Sequence, residues 1–142
     1  MNNTVVLNYN FANEDHVNET LMNGVVGIPN KKFTHGKNIL NAATSEHPLY
    51  GILYDVASKC VRGIFSTLGE AFTTEDAETF TGDGNTDETW GHRIHVMANL
   101  TQNKAISRAE FLEMGGKTIR GSMARVDDDV WMQVKERITA TN

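Results

Sequence analysis

The sequence holds one cysteine, Cys60, and two prolines, Pro29 and Pro48, and these scarcities narrow what the chain can be. A lone cysteine closes no intramolecular disulfide and nothing resembles a zinc quartet, so the fold must rest on its apolar core. No apolar run approaches the roughly 18 residues of a membrane-spanning helix. The opening Met1-Asn2-Asn3-Thr4 lacks the basic and apolar regions of a secretory signal. The expectation is therefore a chain made inside the cell, with no membrane partner. Basic charge is also scarce: 13 Lys and Arg against 18 Asp and Glu give a formal net charge of −5, which argues against a surface that is basic all over. The acidity is concentrated in one place. Between Glu70 and Glu88 stand Glu75, Asp76, Glu78, Asp83 and Asp87 with no Lys or Arg, and the remainder is close to neutral. Gly-x-Ser-x-Gly, phosphate-loop and dinucleotide signatures are missing, so no motif supports an enzyme or calls for a cofactor.

What is present reads as one domain over residues 1–142, long enough to bury about two-thirds of the surface its unfolded chain exposes. The most informative stretch runs from Trp90 to Phe111. At period two, His92, Ile94, Val96, Ala98 and Leu100 share one strand face and Arg93, His95, Met97 and Asn99 the other. Thr101 or Asn103 is then placed to cap a helix from Lys104 onward. Upstream, Thr4 to Tyr9 reads as a first strand and Thr20 to Ile28 as a second. Gly27-Ile28-Pro29-Asn30 follows as a turn, and Lys31 to Thr44 as a third extended segment. Over residues 45–68 two readings compete. Leu49, Ile52, Leu53, Val56, Cys60 and Ile64 recur at helical spacing and slightly favour a helix, whereas Lys59 to Leu68 alternates like a strand, and Gly51 and Gly63 weigh against a helix. Leu112, Ile119 and Met123 fall on one side of a helix over 104–123, which Gly115-Gly116 either ends or opens to a close crossing. Asp127-Asp128-Asp129 suits the start of a last helix with a stripe of Trp131, Val134 and Ile138.

Candidate chemistry is sparse. His92 and His95 form the one close His pair, but three residues apart on a strand they face opposite ways, so no metal site is expected. Asp83, Asn85 and Asp87 imitate the start of a calcium loop, yet Glu88 stands where glycine is needed and Ile94 where the bidentate Glu should fall. Cys60, on an apolar stripe, reads as a packed small residue. Cations are placed more suggestively. Lys31, Lys32 and Lys37 lie on the third segment, Lys59 and Arg62 on the disputed one, and Arg93 and His95 on the strand from Trp90. If all three are strands, one sheet face collects groups able to meet phosphates; the alternative is a solvated face.

The order of elements resembles the coat proteins of single-stranded RNA bacteriophages. The resemblance rests on Thr4-Val5-Val6-Leu7 as a strand just after Met1, and on Trp90-x-His92 through Ala98-Asn99-x-Thr101 running into helical segments 104–123 and 127–139. It implies an α+β fold: an antiparallel β-sheet with an N-terminal hairpin over about residues 1–100, then two C-terminal helices over about 103–139 that cover the sheet of a partner subunit. It further implies a homodimer assembling into an icosahedral shell in the virion, packaging single-stranded RNA and binding an RNA hairpin as a translational repressor. Lys37, Arg62, Arg93 and His95 would then face RNA, and Leu112, Ile119, Trp131, Val134 and Ile138 the partner subunit. The competing expectation is a small acidic α+β protein that inhibits a protein partner through its 70–88 loop.

Overall fold

A computed structural model describes residues 3–12, 14–28, 34–73, 92–101, 103–117 and 123–140. Among them eight strands build one curled, mixed sheet: β1 (Thr4–Tyr9), β2 (Val25–Ile28), β3 (Tyr50–Asp55), β4 (Cys60–Thr67), β5 (Phe72–Thr73), β6 (His92–Leu100), β7 (Ile106–Ser107) and β8 (Met123–Val126). The main path runs β2-β6-β4-β3-β1-β8, with β5 paired to β6 and β7 to β4. The helices are α1 (Glu14–Asn18), which continues into a π-helical turn (Glu19–Asn23), α2 (Thr34–Asn41), α3 (Arg108–Glu113) and α4 (Asp128–Thr139). β1 and β3 are parallel, from Thr4 opposite Tyr50 to Tyr9 opposite Asp55. A parallel pair needs a long crossover, and the chain through α1, β2 and α2 supplies it. The sheet is therefore mixed, not the antiparallel sheet with an N-terminal hairpin implied by the coat resemblance.

Both faces of the central strands β1, β3 and β4 are covered by the chain's own helices. On one side Val5, Leu7, Leu53, Phe65, Ile94 and Val96 pack with Ile39 and Leu40 of α2. On the other Val6, Ile52 and Ile64 pack with Phe111 of α3 and with Val130, Val134 and Ile138 of α4. A strand buried on both faces loses its polar alternation. That is why residues 45–68 mimic a helix: all of β3 after Tyr50 is buried, although 45–68 in fact contains the β3–β4 hairpin. The turn is set by Asp55, whose Oδ1 accepts the Ala57 N–H at 3.0 Å, and by Lys59, which takes the left-handed conformation at φ 57°. Gly51 is required in β3 because a Cβ there would lie 1.9 Å from the Phe65 ring.

Two other expectations change. Lys31 to Thr44 is not a third strand, since Thr34–Asn41 is helix α2. The helix expected over 104–123 shrinks to α3, preceded by β7 and followed by β8, so Met123 belongs to a strand paired with β1. The capping groups explain the short helix. The Ser107 hydroxyl accepts the Glu110 N–H at 3.2 Å, and Gly115, at φ +94°, closes the other end. There the Gly116 N–H donates to Phe111 O and the Gly115 N–H to Leu112 O, the paired bonds of a Schellman ending. The last helix forms where Asp127 to Ile138 suggested, but it covers its own sheet and not a partner's.

Candidate functional site

One region worth attention lies along β6. On its inner face Ile94 and Val96 are buried, while on its outer face His95, Met97 and Asn99 are exposed, Met97 at 67%. The uncovered face exists because α4 packs over β1, β3 and β4 and stops short of β6. A groove of about 390 Å³ runs between them, with Ile64, Ser66, Met97 and Asn99 along the sheet and Trp131, Lys135 and Thr139 along the helix. Its aromatic groups are fixed in place. The Trp131 indole N–H donates to Gly51 O at 3.1 Å, its ring lies 4.9 Å from that of Tyr50, and Lys135 Nζ sits 5.1 Å from its centre. Two residues before Met97, the His95 ring stacks on Phe72, centroids 4.9 Å apart and planes 28° from parallel. Flat rings beside a cation suit a ligand with π-faces and negative charge.

A second concavity, of about 510 Å³, opens at the far end of β6, where Phe11, Val17, Leu21 and Leu100 meet Arg62 and Thr101. Its floor is organised by Asp55, which is buried. Oδ1 accepts the Phe11 N–H at 3.1 Å as well as that of Ala57, and Oδ2 accepts the Ser58 hydroxyl and Arg62 Nε, the latter at 3.0 Å. Burial alone would raise the Asp55 pKa, but the Ser58 hydroxyl, the two N–H groups and the Arg62 charge together hold it below the ordinary 3.8. One carboxylate thus ties the end of β1 to the β3–β4 turn and sets the direction of the Arg62 side chain.

The four residues expected to share a basic face do not converge. Arg93 and His95 do lie on the same side of β6, but Arg93 is buried where β2 and β5 both pair with β6. Arg62 sits at the opposite end of the sheet in the ion pair with Asp55. Lys37 is on α2, close enough to His92 on the inner face to help depress that imidazole's pKa. His92 is buried and His95 exposed, on opposite faces. Of the residues expected to face a partner, Val134 and Ile138 are buried in this chain's own core and Trp131 is held by Tyr50 and Gly51. Leu112 is exposed on α3, and Ile119 lies outside the described residues, as do Lys31, Lys32, Trp90 and the acidic stretch from 74 to 88. Sequence reasoning missed the aromatic side of the groove. The signal available was Lys135 four residues after Trp131, which places a cation over an indole on one helix face.

No protein-family profile matches the sequence, and no curated protein does. Solved structures do match. The YTH domain-containing protein Mmi1, in its RNA complex, is 14% identical with a TM-score of 0.62, covering 95% of this chain and 81% of its own. The YTH domain of the Zygosaccharomyces rouxii MRB1 protein, in complex with N6-methyladenosine RNA, is 8% identical with a TM-score of 0.62, covering 98% of this chain and 89% of its own. PSPTO5229 from Pseudomonas syringae is 11% identical with a TM-score of 0.62, covering 92% and 96%. At these identities the likeness is one of fold. It overturns the coat-protein resemblance, and with it the shell, the virion location and the helices exchanged with a partner subunit. The alternative of an inhibitor acting on a protein partner finds no support in these neighbours either. The chain has the curled mixed sheet of YTH domains, two of which were solved with RNA bound.

Proposed function

We propose that this chain is a binding domain for single-stranded RNA, without catalytic activity of its own, and that it holds RNA along the groove between α4 and the outer face of β6. The observation that carries the reading is the whole-chain match in fold to YTH domains solved with RNA. The groove agrees with it: unpaired bases are commonly held by stacking on aromatic rings, Trp131 lines the groove, and His95, stacked on Phe72, stands two residues along β6 from Met97 of its lining. Duplex RNA hides those base faces, so single strands are the preferred form. The net charge of −5 fits a site that relies on stacking more than on a broad basic surface. Lys135 is the one cation among the described residues lining the groove, so few phosphates are neutralised.

Fluorescence anisotropy with a mixed-sequence single-stranded oligonucleotide, and with the same sequence as a duplex, tests this. The expected result is tighter binding of the single strand, with log affinity falling against log salt at a slope of only about −0.7 to −1.4, for one or two phosphate contacts. His95→Ala should weaken binding by about tenfold, since one stacked base contributes about 1–3 kcal/mol. Met97→Glu should abolish it while leaving the melting temperature unchanged, because Met97 is exposed. Equal affinity of wild type and Met97→Glu would place RNA elsewhere, and no binding of single strands at low salt would overturn the proposal.

A further inference from the structure

We propose that the Arg62 pocket receives a guanine base from the same RNA strand and reads it through the O6 and N7 edge; this rests on the RNA reading above. The first observation is the state of the guanidinium. Arg62 Nε donates to Asp55 Oδ2 at 3.0 Å and lies 3.2 Å from Ser58 Oγ, whereas its two terminal nitrogens have no hydrogen-bond partner among the described residues. The side chain is thus braced from behind, with its outer pair of donors unused, and it lines a pocket of about 510 Å³.

The second observation is the charge balance. Asp55 already matches Arg62, and the other lining groups among the described residues, such as Phe11, Val17, Leu21, Leu100 and Thr101, are uncharged. The pocket therefore does not call for an anion. It calls for a planar, uncharged group with two adjacent acceptors spaced for the guanidinium fork and faces that tolerate apolar walls. Guanine offers that pair at O6 and N7, whereas adenine offers an acceptor beside a donor at the corresponding edge. The pocket is large enough to admit a purine. Cytosine, with acceptors at N3 and O2, is the closest competitor and is an arm of the test.

The third observation is the path between the two concavities. On its outer side β6 is paired to β2 only from His92 to His95, and the Val96 N–H still bonds to Gly24 O. From Met97 to Leu100 its described strand partner is β4 alone, on the other side, and the π-helical turn Glu19–Asn23 packs near β6. The groove ends at Asn99 on one face of β6, and the pocket begins at Leu100 and Thr101 on the other. RNA leaving the groove at Asn99 has the pocket within one or two residues along β6, past the end of the strand at Leu100 and Thr101.

The test compares oligouridine with the same oligomer carrying one central guanosine, adenosine or cytidine. The guanosine oligomer should bind about tenfold more tightly than the others, because a good bidentate contact discriminates by that order. Arg62→Gln should remove this gain while retaining the affinity for oligouridine. Because that substitution also loosens the β3–β4 turn, Leu100→Trp, which fills the pocket and leaves Arg62 on Asp55, serves as a second variant with the same expected loss. Equal affinity for all four oligomers, or a cytidine gain as large as that of guanosine, overturns the assignment. If no RNA binds, the groove reading fails separately. Titration of the wild-type protein with free guanosine, followed by NMR at the Arg62 Nε–H, then decides the pocket: a shift there and not at His95 supports it, and no shift overturns it.

Discussion

At the scale of single residues, two buried titratable groups respond to acid in different pH windows. His92 is 7% exposed, and its Nε2 has no hydrogen-bond partner among the described residues. Burial lowers its pKa below 6.5, and the nearby Lys37 charge lowers it further, so the folded protein holds the ring neutral. The unfolded chain takes up this proton first as pH falls, so the His92 contribution to stability is complete above about pH 6.5 and is lost as pH drops through the folded value. Asp55 is also depressed, but from 3.8, so its contribution persists until more acid conditions. Urea denaturation at pH 7.5 and pH 5 should therefore show a loss of stability in the wild type that His92→Phe reduces. An identical pH dependence in the two proteins would mean that the imidazole takes up its proton at the same pH folded and unfolded.

At the scale of elements, the β3–β4 turn is where one substitution should do the most damage. Asp55→Ala removes the acceptor for the Phe11 and Ala57 N–H groups, the Ser58 hydroxyl and Arg62 Nε together. A buried, multiply bonded carboxylate lost in this way costs about 3–5 kcal/mol, readable as a shift in the urea midpoint; a loss under about 1 kcal/mol would show that the turn is held by other contacts. Elements were legible in the sequence where local pattern and final environment agree. Thr4 to Tyr9 is a β-branched run, β6 keeps a real alternation because its outer face stays in water, and α4 carries one apolar stripe with Val130. Residues 45–68 were ambiguous because β3 and β4 are sandwiched between helices, and α2 was hidden because its eight residues bury only a short apolar patch, Ile39 and Leu40. For the candidate site, the period-two reading placed His95 on the outer face of β6. Nothing local could indicate that β2 and β5 would bury Arg93, or that Trp131 would be carried across from the C-terminal helix to stand beside Met97.

At the scale of the whole molecule, the apolar stripe on α4 decides how the chain folds. An exchanged-helix dimer would need Val134 and Ile138 to complete a partner's core, yet in this chain they complete its own: Val134 is fully buried and Ile138 nearly so, against Val6, Ile52 and Ile64. A chain that covers both faces of its sheet folds without waiting for a second copy, so its stability is not tied to protein concentration. The expected outcome is a thermal midpoint that stays constant over a roughly hundredfold range of concentration. Ile138→Ala should lower stability by about 2–5 kcal/mol, equally at every concentration, since it opens a cavity inside one molecule. A midpoint that climbs with concentration would contradict this. The surface to examine would then be the outer face of β6 from Met97 to Asn99, where an exposed methionine and the adjoining groove offer a second copy a contact. In that event RNA and self-association would compete for the same surface, and saturating single-stranded RNA should remove the dependence of the midpoint on protein concentration.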